Sequence, residues 1–118
     1  MTRTLFVDID DTLVLYEHCG PNPYGVYLGI PYTINEPLVA GIRQFADIGF
    51  VIVWSGGGRD YVIEWLKKLG LDDTAFAMIK DNSTLHLIKP DSIVVDDMEL
   101  VYEGNCKRTH DPFSWPEQ

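Results

Sequence analysis

An acidic segment directly after a short apolar run constrains this chain more than any other feature. Leu5–Val7 leads straight into Asp8–Thr12, a five-residue segment that contains three aspartates. Crowding or burying carboxylates costs free energy unless a cation or hydrogen-bond donors compensate. The segment therefore predicts a site in which the carboxylates have such partners.

The same arrangement occurs again near the other end of the chain. The apolar run Ile93–Val95 is followed by Asp96 and Asp97, and a third run, Phe50–Trp54, ends at the hydroxyl of Ser55. Such runs are typical of parallel strands, and ligands of open parallel sheets bind beyond the carboxyl ends of the strands. We therefore expect these polar groups to meet in one crevice.

Their chemistry indicates a magnesium-dependent phosphoryl-transfer site. Side chains at positions i and i+2 of a strand project to one side, so Asp8 and Asp10 are expected to point together into the crevice. A carboxylate can attack a phosphate dianion only if their repulsion is removed, and a divalent cation such as Mg²⁺ does this. Lys89 and the Ser55 hydroxyl, with the amides after it, would hold the phosphate oxygens.

Hydrophobic periodicity predicts an α/β domain with a parallel sheet of Rossmann-like, three-layer form. Strands are expected over residues 4–9, 50–54, 76–79 and 92–95, where the apolar runs are rich in Val, Ile and Phe. Apolar residues recur at helical spacing over residues 38–46, after Glu36-Pro37, and over residues 61–69, before Gly70. Strands that alternate with helices favour this architecture.

Two segments do not follow this alternation. Residues 17–35 are rich in Gly, Pro, Asn and Tyr and are interpreted as a flap inserted after the first strand, with Val26–Leu28 as a hairpin arm. Tyr16, Tyr24, Tyr27 and Tyr32 are interpreted as packing residues of this flap rather than substrate-stacking residues. The tail after Cys106 is predicted to be irregular.

Composition limits the classes of partner. The 118 residues, 46% of them hydrophobic, are expected to form a single domain over residues 1–118. A formal net charge of −9 disfavours a nucleic-acid or anionic-membrane surface, because phosphate groups are bound chiefly through Lys and Arg. No apolar stretch has the length of a signal peptide or membrane span, and Cys19 and Cys106 lack metal-site spacing, so we expect a cytoplasmic protein with free thiols.

The order of these elements resembles the haloacid dehalogenase superfamily of phosphatases. The segment Asp8–Leu13 is similar to the first motif of that family, Ser55 to the second, Lys89 to the third, and Asp96-Asp97 to the fourth. The resemblance covers almost the whole chain. It implies a compact, capless member of the superfamily, with a Rossmann-like sheet and a flap after the first strand.

The resemblance also implies a reaction, the hydrolysis of a phosphomonoester through an aspartyl-phosphate. Asp8 would be the nucleophile, and Asp10 would protonate the leaving group and then activate water. The implied Mg²⁺ ligands are the Asp8 and Asp96 side chains and the Asp10 main-chain carbonyl, with Asp97 as a further ligand or a neighbour of one. Ser55 and Lys89 complete the catalytic set.

Six residues are expected to bind the substrate, through a phosphate oxygen or through a second anionic group. They are Thr12, Ser55, Gly56, Gly57, Arg59 and Lys89. Two assignments stay open: Lys80 is an alternative to Lys89, and the glycines after Ser55 either admit backbone amides to the phosphate or form a plain strand-to-helix turn. Specificity is expected to reside in residues 24–32 and Arg59, because no cap domain is present and the flap is the only cover.

Other functions have to be weighed against hydrolysis. The Asp8–Thr12 segment alone could cap a helix or close a loop. A phospho-accepting receiver module has a similar length and residue set, but its lysine comes last, whereas Asp96 and Asp97 here follow Lys89. A catalytically silent relative that binds a cation or a partner is a further alternative. A small phosphorylated substrate is the expected ligand, and the oligomeric state stays open.

Overall fold

The apolar runs of the sequence form the strands of a parallel sheet. The computed structural model describes residues 2–17 and 30–98 and the short pieces 101–102, 105–106, 109–110, 112–113 and 115. Its helices and strands have the following bounds, in chain order: β1 Thr4–Asp8, β2 Val14–Tyr16, β3 Tyr32–Ile34, α1 Glu36–Phe45, β4 Phe50–Ser55, α2 Arg59–Leu69, β5 Phe76–Ile79, β6 Ile93–Val95, β7 Val101–Tyr102, β8 Asn105–Cys106 and β9 Thr109–His110. A short 3₁₀ helix covers Leu85–Leu87.

Five of these strands make the main sheet, in the order β5-β4-β1-β6-β9, and all of its pairings are parallel. The four predicted strands are confirmed to within one residue at each end. The fifth strand, Thr109–His110, falls in the tail that was predicted to be irregular. A two-residue strand is too short to leave a periodic signal, so only its pairing with β6 identifies it.

Both helices pack on one face of the sheet. Leu38 and Ile42 of α1, together with Val62 and Leu66 of α2, share a buried cluster with the β1 residues Leu5 and Val7. The opposite face carries Phe6, Trp54 and Val94, and Ile88 of the β5–β6 connection covers it. Right-handed crossovers explain why the two faces differ. The chain steps outward from β1 through β4 to β5, which places α1 and α2 on one face, and it then returns across the sheet to β6, which places the β5–β6 connection on the other face. The Rossmann-like parallel sheet is confirmed, and among the described residues the opposite face carries only the short 3₁₀ helix Leu85–Leu87 in place of an α-helical third layer.

The predicted Gly70 end of α2 is confirmed, and a cap that was not predicted precedes α1. Asn35 precedes α1, and its side chain accepts a hydrogen bond from the Leu38 amide at 3.4 Å. Gly70 ends α2 in the left-handed conformation, with φ at 69°. Within the part of the chain that the structure describes, neither helix has the length and apolar character needed to cross a bilayer.

The segment predicted as a flap is described only at its ends. Residues 18–29, which include the predicted arm Val26–Leu28, lie outside the described residues. At the base, β2 pairs with β3 in an antiparallel hairpin that sets Tyr16 opposite Tyr32. This hairpin stands directly after the acidic segment at the end of β1.

The strand order places a topological switch point at β1. The chain leaves β1 for β4 on one side, and later enters β6 on the other side. Connections on the two sides of such a point run over opposite faces, which opens a crevice beyond the carboxyl ends of the two strands. Asp8 ends β1 and Asp96 directly follows β6, so both carboxylates lie at this crevice.

Candidate functional site

Three carboxylates from the two ends of the chain meet at the switch point. Oxygens of Asp8, Asp96 and Asp97 all lie within 4.8 Å of one another. Asp8 and Asp96 are buried, with 6% and 2% of their surface exposed, while Asp97 is exposed. The predicted convergence of the N-terminal and C-terminal aspartates is thus present in the structure.

Lys80 joins two of these carboxylates. Its Nζ donates to Asp8 Oδ1 at 3.0 Å and to Asp96 Oδ2 at 3.1 Å. Lys80 follows the last residue of β5, and its amide donates to the Ser55 carbonyl oxygen at 2.9 Å, which fixes the start of the side chain beside β4. Burial opposes the charged form of Lys80, but Asp8 and Asp96 outweigh it and raise its pKa.

The raised pKa values of Asp8 and Asp97 show that negative charge is unfavourable in this cluster of three aspartates. Burial and then the neighbouring Asp96 raise the pKa of Asp8 to about 8, even though Lys80 acts in the opposite direction. Partial burial of its carboxyl, followed by contact with Asp96, raises the pKa of Asp97 to about 6. With Lys80 as its counter-charge, the cluster therefore retains protons near neutral pH.

Thr12 is the buried link between the first and last acidic segments. Its Oγ1 lies 3.5 Å from Asp8 Oδ2 and 3.4 Å from Asp97 Oδ1, and it accepts a hydrogen bond from the Asp97 amide at 3.2 Å. The turn that carries it is closed by the amides of residues 12–14, which all donate to the Ile9 carbonyl oxygen. Thr12 therefore positions the two carboxylates and does not line the cleft.

Asp10 has a different environment from Asp8. The Tyr61 hydroxyl donates to Asp10 Oδ1 at 2.6 Å, and the Tyr16 hydroxyl donates to the same oxygen at 3.1 Å. Burial raises the pKa of Asp10 from its ordinary value, against the opposing effect of these two hydrogen bonds. Because β1 ends at Asp8, the turn and the tyrosines position Asp10, rather than the strand pleat that the sequence suggested. A role for its main-chain carbonyl at a metal stays a prediction.

The segment after β4 forms another side of the site. Ser55 is 2% exposed, and its Oγ accepts a hydrogen bond from the Gly57 amide at 3.0 Å. A Cβ at position 57 would lie 3.0 Å from the Tyr61 ring, and Gly58 has a φ of 102°, so both glycines serve the tight strand-to-helix turn. Gly56 and Gly57 also line the cleft, which keeps their predicted contact with a phosphate open.

A cleft of about 1040 Å³ opens over these groups. Its polar floor contains Asp8, Asp10, Ser55, Lys80 and Asp97. Its side wall is formed by the β2–β3 hairpin and by α2, and is largely apolar and aromatic. The wall residues are Tyr16, Ile30, Pro31, Tyr32, Tyr61, Trp65 and Met98, with Glu64 and Lys68 beside them.

Three of the predicted substrate-binding side chains do not line the cleft, namely Thr12, described above, Lys89 and Arg59. Lys89 is exposed and does not line the cleft. It precedes β6 and so lies toward the amino ends of the parallel strands, whereas Asp96 lies at their carboxyl ends. Arg59 is exposed at the start of α2 and does not line the cleft either. Lys80, the alternative, is the lysine that contacts the aspartates. Sequence reasoning missed Tyr16 and Tyr61 as partners of Asp10, because Tyr16 was interpreted as a packing residue of the flap and Tyr61 fits the apolar stripe of α2.

The protonated cluster leads to an expected pH dependence of stability. The pKa of Asp8 in the folded, metal-free protein lies above its unfolded value of about 3.9. Its protonation therefore stabilises the fold fully below about pH 4, and this contribution is lost as the pH rises through about 8. We expect the free energy of unfolding in EDTA to fall over this range, and Mg²⁺ to restore more of it at pH 8 than at pH 5.5, because the ion competes with protons.

Urea unfolding at these two pH values, with EDTA or with Mg²⁺, measures this effect. Asp8→Asn is the matched control, since it removes the titrating group and should flatten most of the difference. A stabilisation by Mg²⁺ that is equal at both pH values would contradict the expectation.

Comparison with known proteins assigns neither a family nor a function to this chain. No protein-family model, no curated protein and no solved structure gives a significant match to this chain. The function therefore has to be inferred from the residues and contacts described above.

Proposed function

We propose that the protein is a Mg²⁺-dependent phosphomonoester hydrolase that acts through an aspartyl-phosphate on Asp8. The observation that carries the proposal is the convergence of three aspartates and Lys80 at the switch point of a parallel sheet. Hard oxygen ligands beside a lysine, at the edge of a roomy cleft, suit a phosphate ester and a small divalent cation. The resemblance in motif order to the haloacid dehalogenase superfamily supports the same reaction.

The donor set fits a divalent ion by charge and by chemistry. Three ionised carboxylates with one lysine leave two negative charges in a largely buried place. Without another cation the site retains protons, as the raised pKa values of Asp8 and Asp97 indicate. Asp8, Asp96 and Asp97 would hold Mg²⁺, which when bound lowers the repulsion between a carboxylate and a phosphate dianion.

Of the two carboxylates that accept hydrogen bonds from Lys80, Asp8 is the better placed to act as nucleophile. It lies on the cleft floor, whereas Asp96 is buried behind it and accepts hydrogen bonds from Lys80 and the Met98 amide. In the first step an Asp8 oxygen forms a bond to phosphorus while the bond from phosphorus to the leaving oxygen breaks. Lys80 stabilises the negative charge that the phosphoryl group carries through this exchange.

Asp10 supplies the proton that this exchange needs. Burial raises the pKa of Asp10, which brings its carboxyl nearer to the range suited to a general acid, and in this step the Asp10 carboxyl donates its proton to the leaving oxygen. In the second step the carboxylate of Asp10 takes a proton from water, the water oxygen bonds to phosphorus, and the bond from phosphorus to Asp8 breaks to release phosphate. The hydroxyls of Tyr61 and Tyr16 hold Asp10 in place, and a half-buried acid beside two donors can serve in both states.

The test is release of phosphate from a panel of simple monoesters by purified protein. We expect multiple turnovers with Mg²⁺ and loss of turnover in excess EDTA, with activity restored when Mg²⁺ is added back. Stoichiometric labelling by acetyl phosphate without turnover would instead favour a receiver-like module. Binding of Mg²⁺ by calorimetry with no hydrolysis of any ester would favour a silent relative.

A further inference from the structure

The cleft is much larger than the phosphate-handling floor needs. Its volume of about 1040 Å³ lies at the upper end of the range of small-molecule sites. The floor groups all cluster at the carboxyl ends of β1, β4, β5 and β6. The remaining space lies between the β2–β3 hairpin and α2, so it is available to the leaving group of the ester.

Aromatic rings line this space. We call the four residues Tyr16, Tyr32, Tyr61 and Trp65 the aromatic wall. The Tyr32 ring stands edge-on to Trp65 at a centroid distance of 5.2 Å and edge-on to Tyr16 at 6.0 Å. Tyr32 remains 48% exposed, so much of its ring surface is available to a ligand. An exposed ring held by two neighbours is a preorganised stacking surface.

Two hydroxyls of the wall are already engaged. The hydroxyls of Tyr16 and Tyr61 both donate to Asp10, so these residues offer ring surface rather than hydrogen bonds to a ligand. Trp65 is nearly buried, and Lys68 stands over its ring at 4.8 Å. The Tyr16 and Tyr61 hydroxyls are therefore not available as donors to a hydroxyl-rich leaving group, whereas a flat ring needs only the ring surface.

We propose that the aromatic wall selects phosphomonoesters whose leaving group carries a flat aromatic ring, with Tyr32 as the principal stacking residue. The inference rests on the proposed hydrolysis and adds the substrate class. It reverses the interpretation of Tyr32 as a packing residue of the flap. Stacking of a ring on an aromatic side chain is worth about 1–3 kcal/mol, or about 5- to 150-fold in an equilibrium constant.

The test compares esters whose leaving groups differ in shape but are all primary alcohols of similar pKa. Ethyl phosphate, 2-phenylethyl phosphate and 2-cyclohexylethyl phosphate are all esters of primary alcohols, so ratios of kcat/KM report recognition rather than chemical reactivity. We expect 2-phenylethyl phosphate to exceed ethyl phosphate about 10- to 100-fold, and to exceed the cyclohexyl ester clearly.

Variants then locate the effect. Tyr32→Ala should lower the phenylethyl-to-ethyl ratio about 5- to 10-fold or more, and Tyr32→Phe should keep it, because the ring is retained. A ratio measured within one variant does not depend on the fraction of protein that is folded. Phe76→Ala is the matched control, because it removes an exposed ring on β5 that does not line the cleft, and both rates should be unchanged.

The outcomes separate the two proposals. Similar kcat/KM values for the three esters, or a ratio unchanged in Tyr32→Ala, would overturn the inference and leave the phosphatase proposal standing. Equal rates for the phenyl and cyclohexyl esters would show selection for apolar bulk and would also overturn it. No hydrolysis of any ester would overturn the proposed function, and the inference with it.

Discussion

Asp8→Asn is expected to lower kcat for every phosphomonoester by about 10⁴-fold or more, since loss of a covalent nucleophile removes the reaction path itself. The amide keeps the shape of the carboxyl but cannot form the aspartyl-phosphate. Phosphate release under saturating substrate and Mg²⁺ measures the loss. Acid-quenched protein from a short incubation with ³²P-labelled substrate should carry label only in the wild type.

Stability distinguishes this effect from simple misfolding. Because the pKa of Asp8 is raised to about 8 by burial and by Asp96, its ionised form is unfavourable in the metal-free fold. Asp8→Asn removes that charge, so the variant should unfold at a higher urea concentration than the wild type at pH 8 in EDTA. Asp72→Asn, the same change at an exposed position after α2, should alter neither activity nor stability. Undiminished turnover in Asp8→Asn would refute the aspartyl-phosphate mechanism.

The fold could be predicted because its signals are local. Runs of Val, Ile and Phe mark strands that are buried on both faces, and the helices α1 and α2 have regular apolar stripes with a proline near the start or a glycine at the end. The convergence of Asp8 with Asp96 followed from one rule, that parallel strands end at the same edge. Strand β9 could not be predicted, since two residues are too few to leave a periodic signal.

The same rule decides between Lys80 and Lys89. Lys80 directly follows β5, so it lies at the edge of the sheet where Asp8 and Ser55 lie. Lys89 precedes β6, after the chain has crossed to the amino end of the strands. The strand-end rule could have separated them, but motif order alone favoured Lys89. The contacts of Asp10 with Tyr16 and Tyr61 had no such signal, because side-chain pairs between a hairpin and a helix depend on packing in three dimensions.

The second large effect is expected from Lys80→Met, which keeps the apolar stem and removes the charge. Lys80 Nζ bonds to two buried carboxylates at 3.0 and 3.1 Å, so its loss leaves both without that partner. Removing one member of a buried ion pair typically costs 3–5 kcal/mol, and we expect about 3 kcal/mol here at pH 8 in EDTA. The cost should be smaller at pH 5.5, where Asp8 takes up a proton. Urea unfolding at both pH values measures the difference.

Catalysis should fall with the same substitution even when Mg²⁺ keeps the variant folded. Loss of one group that stabilises transition-state charge costs about 10²- to 10³-fold, and we expect that fall in kcat/KM. Lys89→Met is the matched control, because the same change at an exposed residue outside the cleft should leave kcat/KM and stability unaltered. The reverse result, with activity lost in Lys89→Met and retained in Lys80→Met, would mean that the lysine between Asp8 and Asp96 only compensates buried charge, and that phosphate is bound from the other end of the β5–β6 connection.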